Sequence, residues 1–304
     1  MDLRHLRYFV EIAEQGSLSR AAMRLNVAQP ALSIHLRNME ADVGTPLLLR
    51  SRNGVQPTKA GEMLLRHARR MLAEQAAIED ELRNMGREPG GEVRLGLPGT
   101  LSDIVTVPLI EAVGQRFPRI RLTVSEAMSG FVAEWLRDGL VDLGGLYARP
   151  DDPGLDSLHL LDEQLVVIAA PRRMPGPLDL AALAAQPLIL PSRAHGLRKM
   201  LDAAAEAQGE RLSPLIEIDS YKNIKALTIR GTGLSVLPLH AVADECMAGR
   251  LVSQPLHPAL WRSIWLVKRR AGAQTRSIGA VHDLIIEIVE DLVRQGTWIG
   301  AKLG

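Results

Sequence analysis

The sequence predicts an α/β protein with a winged helix-turn-helix of all-α type at its N-terminal end, a long linker helix, and a two-lobed α/β region. Three observations predict it. Two short amphipathic segments meet at Asn26-Val27. Residues 58 to 86 keep an apolar side chain every three or four positions. From Glu92 onward, short leucine- and valine-rich runs alternate with amphipathic segments, the pattern of sheet strands covered by helices.

Residues 3 to 15 place Leu3, Leu6, Phe9, Val10 and Ala13 on one helical face, a support helix for the two helices after it. Gly16 suits the left-handed end of that helix, and the Ser17 hydroxyl suits an N-cap. Leu18, Ala21, Ala22 and Leu25 then recur at helical spacing, and the Ala21-Ala22 pair permits close helix approach. After Asn26-Val27, Ala31, Leu32, His35, Leu36 and Met39 mark a face of the next helix. Pro30 lies near its start, where a missing N–H costs nothing. Two helices joined so tightly describe a helix-turn-helix, whose second helix enters the DNA major groove.

The apolar run Leu47 to Leu49, then Asn53-Gly54 and Val55, predicts a small hairpin with a type I′ turn, because both central residues need positive φ. A hairpin in this place is a wing, and Arg50 and Arg52 flank its tip within reach of phosphate. Residues 1–57 hold seven arginines against five acidic side chains, a net +2 gathered around the proposed recognition surface.

Thr58 is placed to cap a long helix running to about Gly86. Leu64, Ala68, Met71, Gln75, Ile78, Leu82 and Met85 alternate steps of four and three, an a/d seam of a two-stranded coiled coil. Gln75 is the polar seam residue and would fix register. The competing reading packs this stripe on the chain's own body. Dimerisation is preferred because a helix-turn-helix that reads paired half-sites needs a partner.

Glu88-Pro89-Gly90-Gly91 breaks the helix as a hinge. Strands are then expected at 93–97, 120–125, 141–147, 158–170, 188–190, 215–218, 234–237 and 264–268. Helices are expected at 102–117, 131–137, 197–208, 221–230 and 278–294. The alternation implies a parallel sheet. The domains expected are 1–58, 59–88 and 89–304. The last divides into a first lobe of about 89–162 with 269–304 and a second of about 163–268.

The composition excludes several classes. Net charge is +1, so a nucleic-acid signal has to be local. Aromatics are 3%, too few for stacking platforms on single strands. One cysteine, Cys246, permits no internal disulfide and is expected as a small buried residue. The N-terminal MDLRHLRYF has no long apolar run and is not expected to be a signal peptide, and no membrane span is foreseen. A cytoplasmic protein without a cofactor is the expectation. The eight histidines are scattered without metal-ligand spacing, and G-x-S-x-G and G-x-x-x-x-G-K are absent. Gly231-Thr232-Gly233 lacks a third glycine and precedes a strand. An enzyme is therefore not expected.

The stretch LRYFVEIAEQGSLSRAAMRLNVAQPALS, then MEADVG, PTKAG and, late in the chain, GLSVLP, resembles the LysR-type transcriptional regulators over essentially the whole length. The QPALS and PT-x-AG pattern leans towards the branch of nitrogen-assimilation and cysteine regulators. The resemblance implies a linker-helix homodimer and a regulatory domain like a periplasmic binding protein. It also implies two dimers in a homotetramer that bends promoter DNA, and a small effector between the lobes. It makes Gln29 and Ser33 base readers, Gln suiting adenine N6/N7. Pro30 and Ala31 would pack on thymine methyls or sugar, and Arg37, Arg50 and Arg52 would hold phosphates. The chain departs from the family at three positions. Ile34 replaces a polar or basic residue and is left a thymine methyl or no base contact. Asn53 replaces the usual wing arginine, with Arg52 as its substitute. Leu49 replaces a frequent phenylalanine.

Ligands of open α/β sheets bind beyond strand carboxyl ends, near helix starts. That rule selects Thr100, Ser102, Ser129, Tyr147, Ser192, Arg193 and Tyr221 as effector-binding candidates, with Arg193 suited to a carboxylate or amino-acid effector. The competing view has the hydroxyls merely capping helices. A regulator whose α/β region serves oligomerisation alone, with no effector, stays open as the alternative.

Overall fold

The computed structural model describes residues 1–51, 54–83, 88–270 and 275–304. Helix α1 (Leu3–Gln15) begins with a reciprocal cap: the Asp2 carboxylate accepts from the His5 N–H, and the His5 ring accepts from the Asp2 N–H. Gly16 ends it in the left-handed region. Ser17 caps α2 (Leu18–Leu25), which Asn26 closes at φ 54°. Helix α3 (Gln29–Val43) carries Pro30 in its first turn. Leu6, Phe9 and Ile12 of α1, Ala21 and Ala22 of α2, and Leu32, Leu36 and Met39 of α3 share one buried core. Two expected face residues fall outside it: Leu3 and Ala31 are exposed, because Ile12 and Leu32 lie nearer the helix contacts.

Strands β1 (Leu48–Ser51) and β2 (Gly54–Pro57) pair antiparallel, Leu48 opposite Pro57 and Ser51 opposite Gly54. Arg52 and Asn53, between the two strands in sequence, lie outside the described residues. The wing is tied down at two places. Glu40 of α3 accepts from the Leu47 and Leu48 N–H groups at 2.8 and 3.2 Å. Val55 N–H donates to Gly16 carbonyl at 2.9 Å. Gly54 is required there: its φ is +114°, and a Cβ would lie 2.5 Å from the Gly16 carbonyl oxygen.

Thr58 caps α4 (Lys59–Arg83), its Oγ1 accepting from Gly61. The expected seam is split along its length. Ala68 is buried in the N-terminal core and Leu64 packs beside it, so this end serves the chain's own body. Met71, Ile78 and Leu82 are 52%, 52% and 64% exposed. Gln75 donates to Glu79 along the helix. Met85 lies outside the described residues.

The remaining chain builds two main cores and a smaller cluster. The first core is formed by β3 (Gly91–Leu97), α5 (Gly99–Arg116), β4 (Ile120–Glu126) and Leu143 of β5 (Leu143–Leu146), and the smaller cluster beside it joins Val132 and Leu136 of α6 (Ser129–Asp138) to Leu146 and Leu155. The long β6 (Leu155–Ala169) leaves the first core for the second. That core holds α7 (Leu180–Ala184), β7 (Ile189–Leu190), α8 (Gly196–Glu206), β8 (Ile216–Glu217), α9 (Tyr221–Ile229) and β9 (Ser235–Pro238). A 3₁₀ turn at His240–Val242 and α10 (Ala243–Met247) come next. The return strand β10 (Val252–Arg269) runs antiparallel to β6 along both cores. Leu260 packs in the second core, and Ile264 and Leu266 in the first, so β10 changes cores between them. Helix α11 (Arg276–Arg294) and β11 (Ala301–Leu303) close the first.

The sheet is mixed, not parallel as the alternation implied. β3 runs parallel to β4 and β5, but β10 is antiparallel to β5 and β6, and β6 is antiparallel to β9 and β11. The two crossing strands reverse direction because each lobe is completed by a strand returning from the other. Cys246 is half-buried rather than buried.

Candidate nucleic-acid interface and interlobe cleft

Burying Leu32, Leu36 and Met39 turns the opposite side of α3 to solvent. Gln29, Pro30, Ala31, Ile34 and Arg37 are exposed there, and Ser33 is half-buried. The wing sets β1 beside this face, and Arg50 Nη2 donates to Ser33 Oγ at 3.2 Å. Arg52 lies outside the described residues. Two arginines of the local count are committed within the domain. Arg20 donates to the Gln15 carbonyl, and Arg24 pairs with Glu11 at 3.2 Å. Their charge is less available to DNA than the count suggests.

The interlobe cleft is organised by the two crossing strands. Glu163 of β6 and Arg262 of β10 are direct register partners, each 1% exposed. Arg262 Nε donates to Glu163 Oε1 at 2.7 Å, and Nη2 donates to Glu163 and to Thr100 Oγ1, the latter at 3.0 Å. The guanidinium carbon stands 3.6 Å over the Tyr147 ring. Thr100 and Tyr147 hydroxyls are 2.5 Å apart. His240 adds Nδ1 at 3.1 Å from Glu163 Oε2, and its Nε2 meets the Thr100 carbonyl at 3.1 Å. Trp298 Nε1 donates to Glu163 Oε2 at 3.4 Å. Arg262 Nη1 is buried and meets no partner in good hydrogen-bond geometry among the described residues, with the Tyr221 hydroxyl as the side-chain group nearest to supplying one.

Charge and burial compete at this cluster. Burial opposes the Glu163 carboxylate, but Arg262 and His240 outweigh it and hold Glu163 below its ordinary range. Burial likewise opposes the Arg262 charge, and the Glu163 carboxylate beside it more than restores it. Burial raises Tyr147 and Tyr221, so both phenols stay protonated near neutral pH. His195 is lowered by burial and then by Arg262. Its Nδ1 accepts from the Leu197 N–H, so the neutral ring carries its proton on Nε2, 3.2 Å from the Tyr221 hydroxyl. The Tyr221 proton is thereby left for another acceptor.

Of the seven candidates chosen from sequence, Thr100 and Tyr147 contact Arg262, and Tyr221 shares its electrostatic field. Ser129 stands where the lobes approach, its Oγ 2.9 Å from a Cβ built on Gly196. Ser102 Oγ is bonded to Thr106 at 3.0 Å. The Ser192 N–H and hydroxyl both donate to Asp219. Arg193 is exposed. Sequence reasoning missed Arg262, Glu163, His195 and His240. The expected strand began only at Ile264, which left Arg262 outside it.

Comparison with known proteins assigns the chain. The model of the lysR-family bacterial regulatory helix-turn-helix protein matches residues 3–62, and the LysR substrate binding domain matches residues 86–289. The nitrogen assimilation regulatory protein nac of Klebsiella aerogenes is 33% identical over 294 residues, covering 95% of each chain. The Escherichia coli K12 protein of the same name is 31% identical, covering 97% of each. A full-length OxyR variant from Pseudomonas aeruginosa shares the fold with a TM-score of 0.76 at 24% identity, covering 94% of each chain. Full-length LysG from Corynebacterium glutamicum with bound effector Arg gives 0.64 at 20%, covering 96% of this chain and 99% of that one. With matched family domains spanning both the helix-turn-helix and the two-lobed region, the chain belongs to the LysR family, as a DNA-binding transcriptional regulator that joins a winged helix-turn-helix to a substrate-binding domain.

Proposed function

We propose that the protein binds promoter DNA through α3 and its wing and that a small oxyanion, a carboxylate or an amino acid, governs this binding from the interlobe cleft. The observation that carries the DNA reading is the outward α3 face, with Gln29, Ser33, Ile34 and Arg37 presented beside Arg50. Gln29 suits bidentate pairing with adenine, Ile34 suits a thymine methyl, and Pro30 and Ala31 suit thymine methyl or sugar contact. Arg37 and Arg52 supply phosphate contacts, and Arg50 stands against Ser33. The effector reading is supported by Arg262 Nη1, a buried donor that an incoming oxygen would satisfy. Thr100, Tyr147 and Tyr221 stand around it, and Ser129 lies at the lobe contact.

The division proposed is 1–58 for DNA binding, 59–88 for the linker and 89–304 for regulation, with the second lobe at about 163–268. The exposed half of α4 supports a homodimer, and two dimers form the tetramer proposed for promoter bending. The resemblance to the nac proteins supports a role in nitrogen assimilation. Among the described residues no helix is long and apolar enough to cross a membrane, and action on promoter DNA sets the protein in the cytoplasm. A second reading has a favouring observation too: Glu163 already neutralises Arg262, which suits a cleft held by its own side chains without an effector.

Gln29→Ala tests the base reading, by fluorescence anisotropy on operator and on random duplex. The substitution should reduce the operator preference by about 1–3 kcal/mol and leave random-duplex affinity in place. An equal loss on both duplexes would remove Gln29 from base reading.

A further inference from the structure

Arg50 lies on the wing and is charged, which by itself suggests a phosphate contact. Its hydrogen bond makes a narrower statement. The donor is Arg50 Nη2, the acceptor is Ser33 Oγ, and the two residues come from different elements, 17 positions apart. The backbone around this pair is held from both sides. Glu40 fastens the root of β1 to α3, the β1–β2 ladder sets Arg50 opposite Val55, and Val55 is fastened to Gly16. The approach of Arg50 to Ser33 is therefore built into the wing.

A serine hydroxyl has one hydrogen to give and two lone pairs to offer, whereas a guanidinium only gives. With Arg50 donating into Oγ, one lone pair is taken, and the Ser33 hydrogen has nothing on Arg50 to point at. The adjacent positive charge polarises the O–H and strengthens it as a donor. We propose that Arg50 is a positioning residue that fixes Ser33 as a hydrogen-bond donor, and so gives the operator a base preference that Ser33 alone would not have. In the major groove a donor suits N7 and O6 of guanine, N7 of adenine and O4 of thymine. Cytosine offers only its N4 amino donor there. Cytosine is accordingly disfavoured opposite Ser33, because its amino group would have to reach the one remaining Oγ lone pair beside the Arg50 charge. Ile34, next along α3 and half-exposed, is suited to the thymine methyl beside it.

The proposal rests on Ser33 as a base reader, and the test separates the two. Operators are selected from a randomised duplex pool by the full-length wild type, Ser33→Ala, Arg50→Ala and Arg50→Lys, each first checked for a wild-type melting profile. The expected wild-type result is cytosine disfavoured about tenfold or more at one position of each half-site. Ser33→Ala should make that position indifferent. Arg50→Ala should admit cytosine at the same position, and Arg50→Lys, which keeps a charged donor, should restore part of the exclusion. If Arg50→Ala weakens all sequences alike while cytosine stays excluded, Arg50 is a phosphate contact and the proposal is overturned. If Ser33→Ala changes no position, the base-reading role beneath it falls as well.

Discussion

At the residue scale the decisive group is the Glu163–Arg262 pair, two charges 1% exposed on facing strands. A buried pair contributes little net stability, but breaking one side strands a charge in a dry site. Arg262→Met leaves Glu163 with only His240 and Trp298 as polar neighbours among the described residues and should cost about 3–5 kcal/mol in chemical denaturation. Replacing both, Arg262→Met with Glu163→Leu, should recover most of that loss. A single variant as stable as wild type would mean that Glu163 reaches water on its own. The pair is separated by 99 residues in the chain, and only the β6–β10 register brings it together. This is why it was illegible in the sequence, whereas Gln29 and Ser33 were legible: their roles come from position on one local helix.

At the element scale the short-range signals sufficed where a cap or turn residue was present. The bounds of α1, α2 and the start of α4 are set by Asp2, Gly16, Ser17, Asn26 and Thr58. The first half of β10 was missed because Pro255 and Pro258 and several polar residues interrupt it, and its register shifts between Pro255 and Leu260. The α4 stripe was legible as a stripe but not as two surfaces. A heptad records apolar spacing and says nothing of which turns another domain covers. Leu64 and Ala68 meet the N-terminal core; Ile78 and Leu82 meet solvent. Ile78→Glu with Leu82→Glu should therefore loosen self-association in sedimentation without lowering the melting temperature, while Ala68→Glu should unfold the N-terminal domain. Unchanged self-association in the Ile78, Leu82 variant would detach the exposed half of α4 from dimer formation.

At the scale of the whole molecule, α4 is docked on both the DNA-binding and the regulatory side. Arg69 pairs with Glu14 of α1 at 3.0 Å. On the regulatory side Arg94 grips Asp142 through backbone and side chain, and Arg269 stands 3.7 Å from the same carboxylate. Burial lowers the Arg269 pKa, Asp142 opposes this, and Arg94 and Arg70 crowd it further. The linker thus faces the first lobe across a cavity lined by Arg69, Leu72 and Ala73 of α4 and by Arg94, Asp142 and Arg269. The sequence legibly divided into these parts, but the mixed sheet escaped it, since alternating strands and helices do not reveal that the lobes exchange strands.

The most direct measurement is footprinting of the full-length protein on DNA upstream of its own and neighbouring genes, with and without a panel of small carboxylates and amino acids. The expected result is a long protected region that one compound shortens or bends differently, and an Arg262→Lys variant that protects the same DNA with a weakened response to that compound. Protection that no member of the panel alters would contradict effector control through the cleft and favour the regulator without an effector.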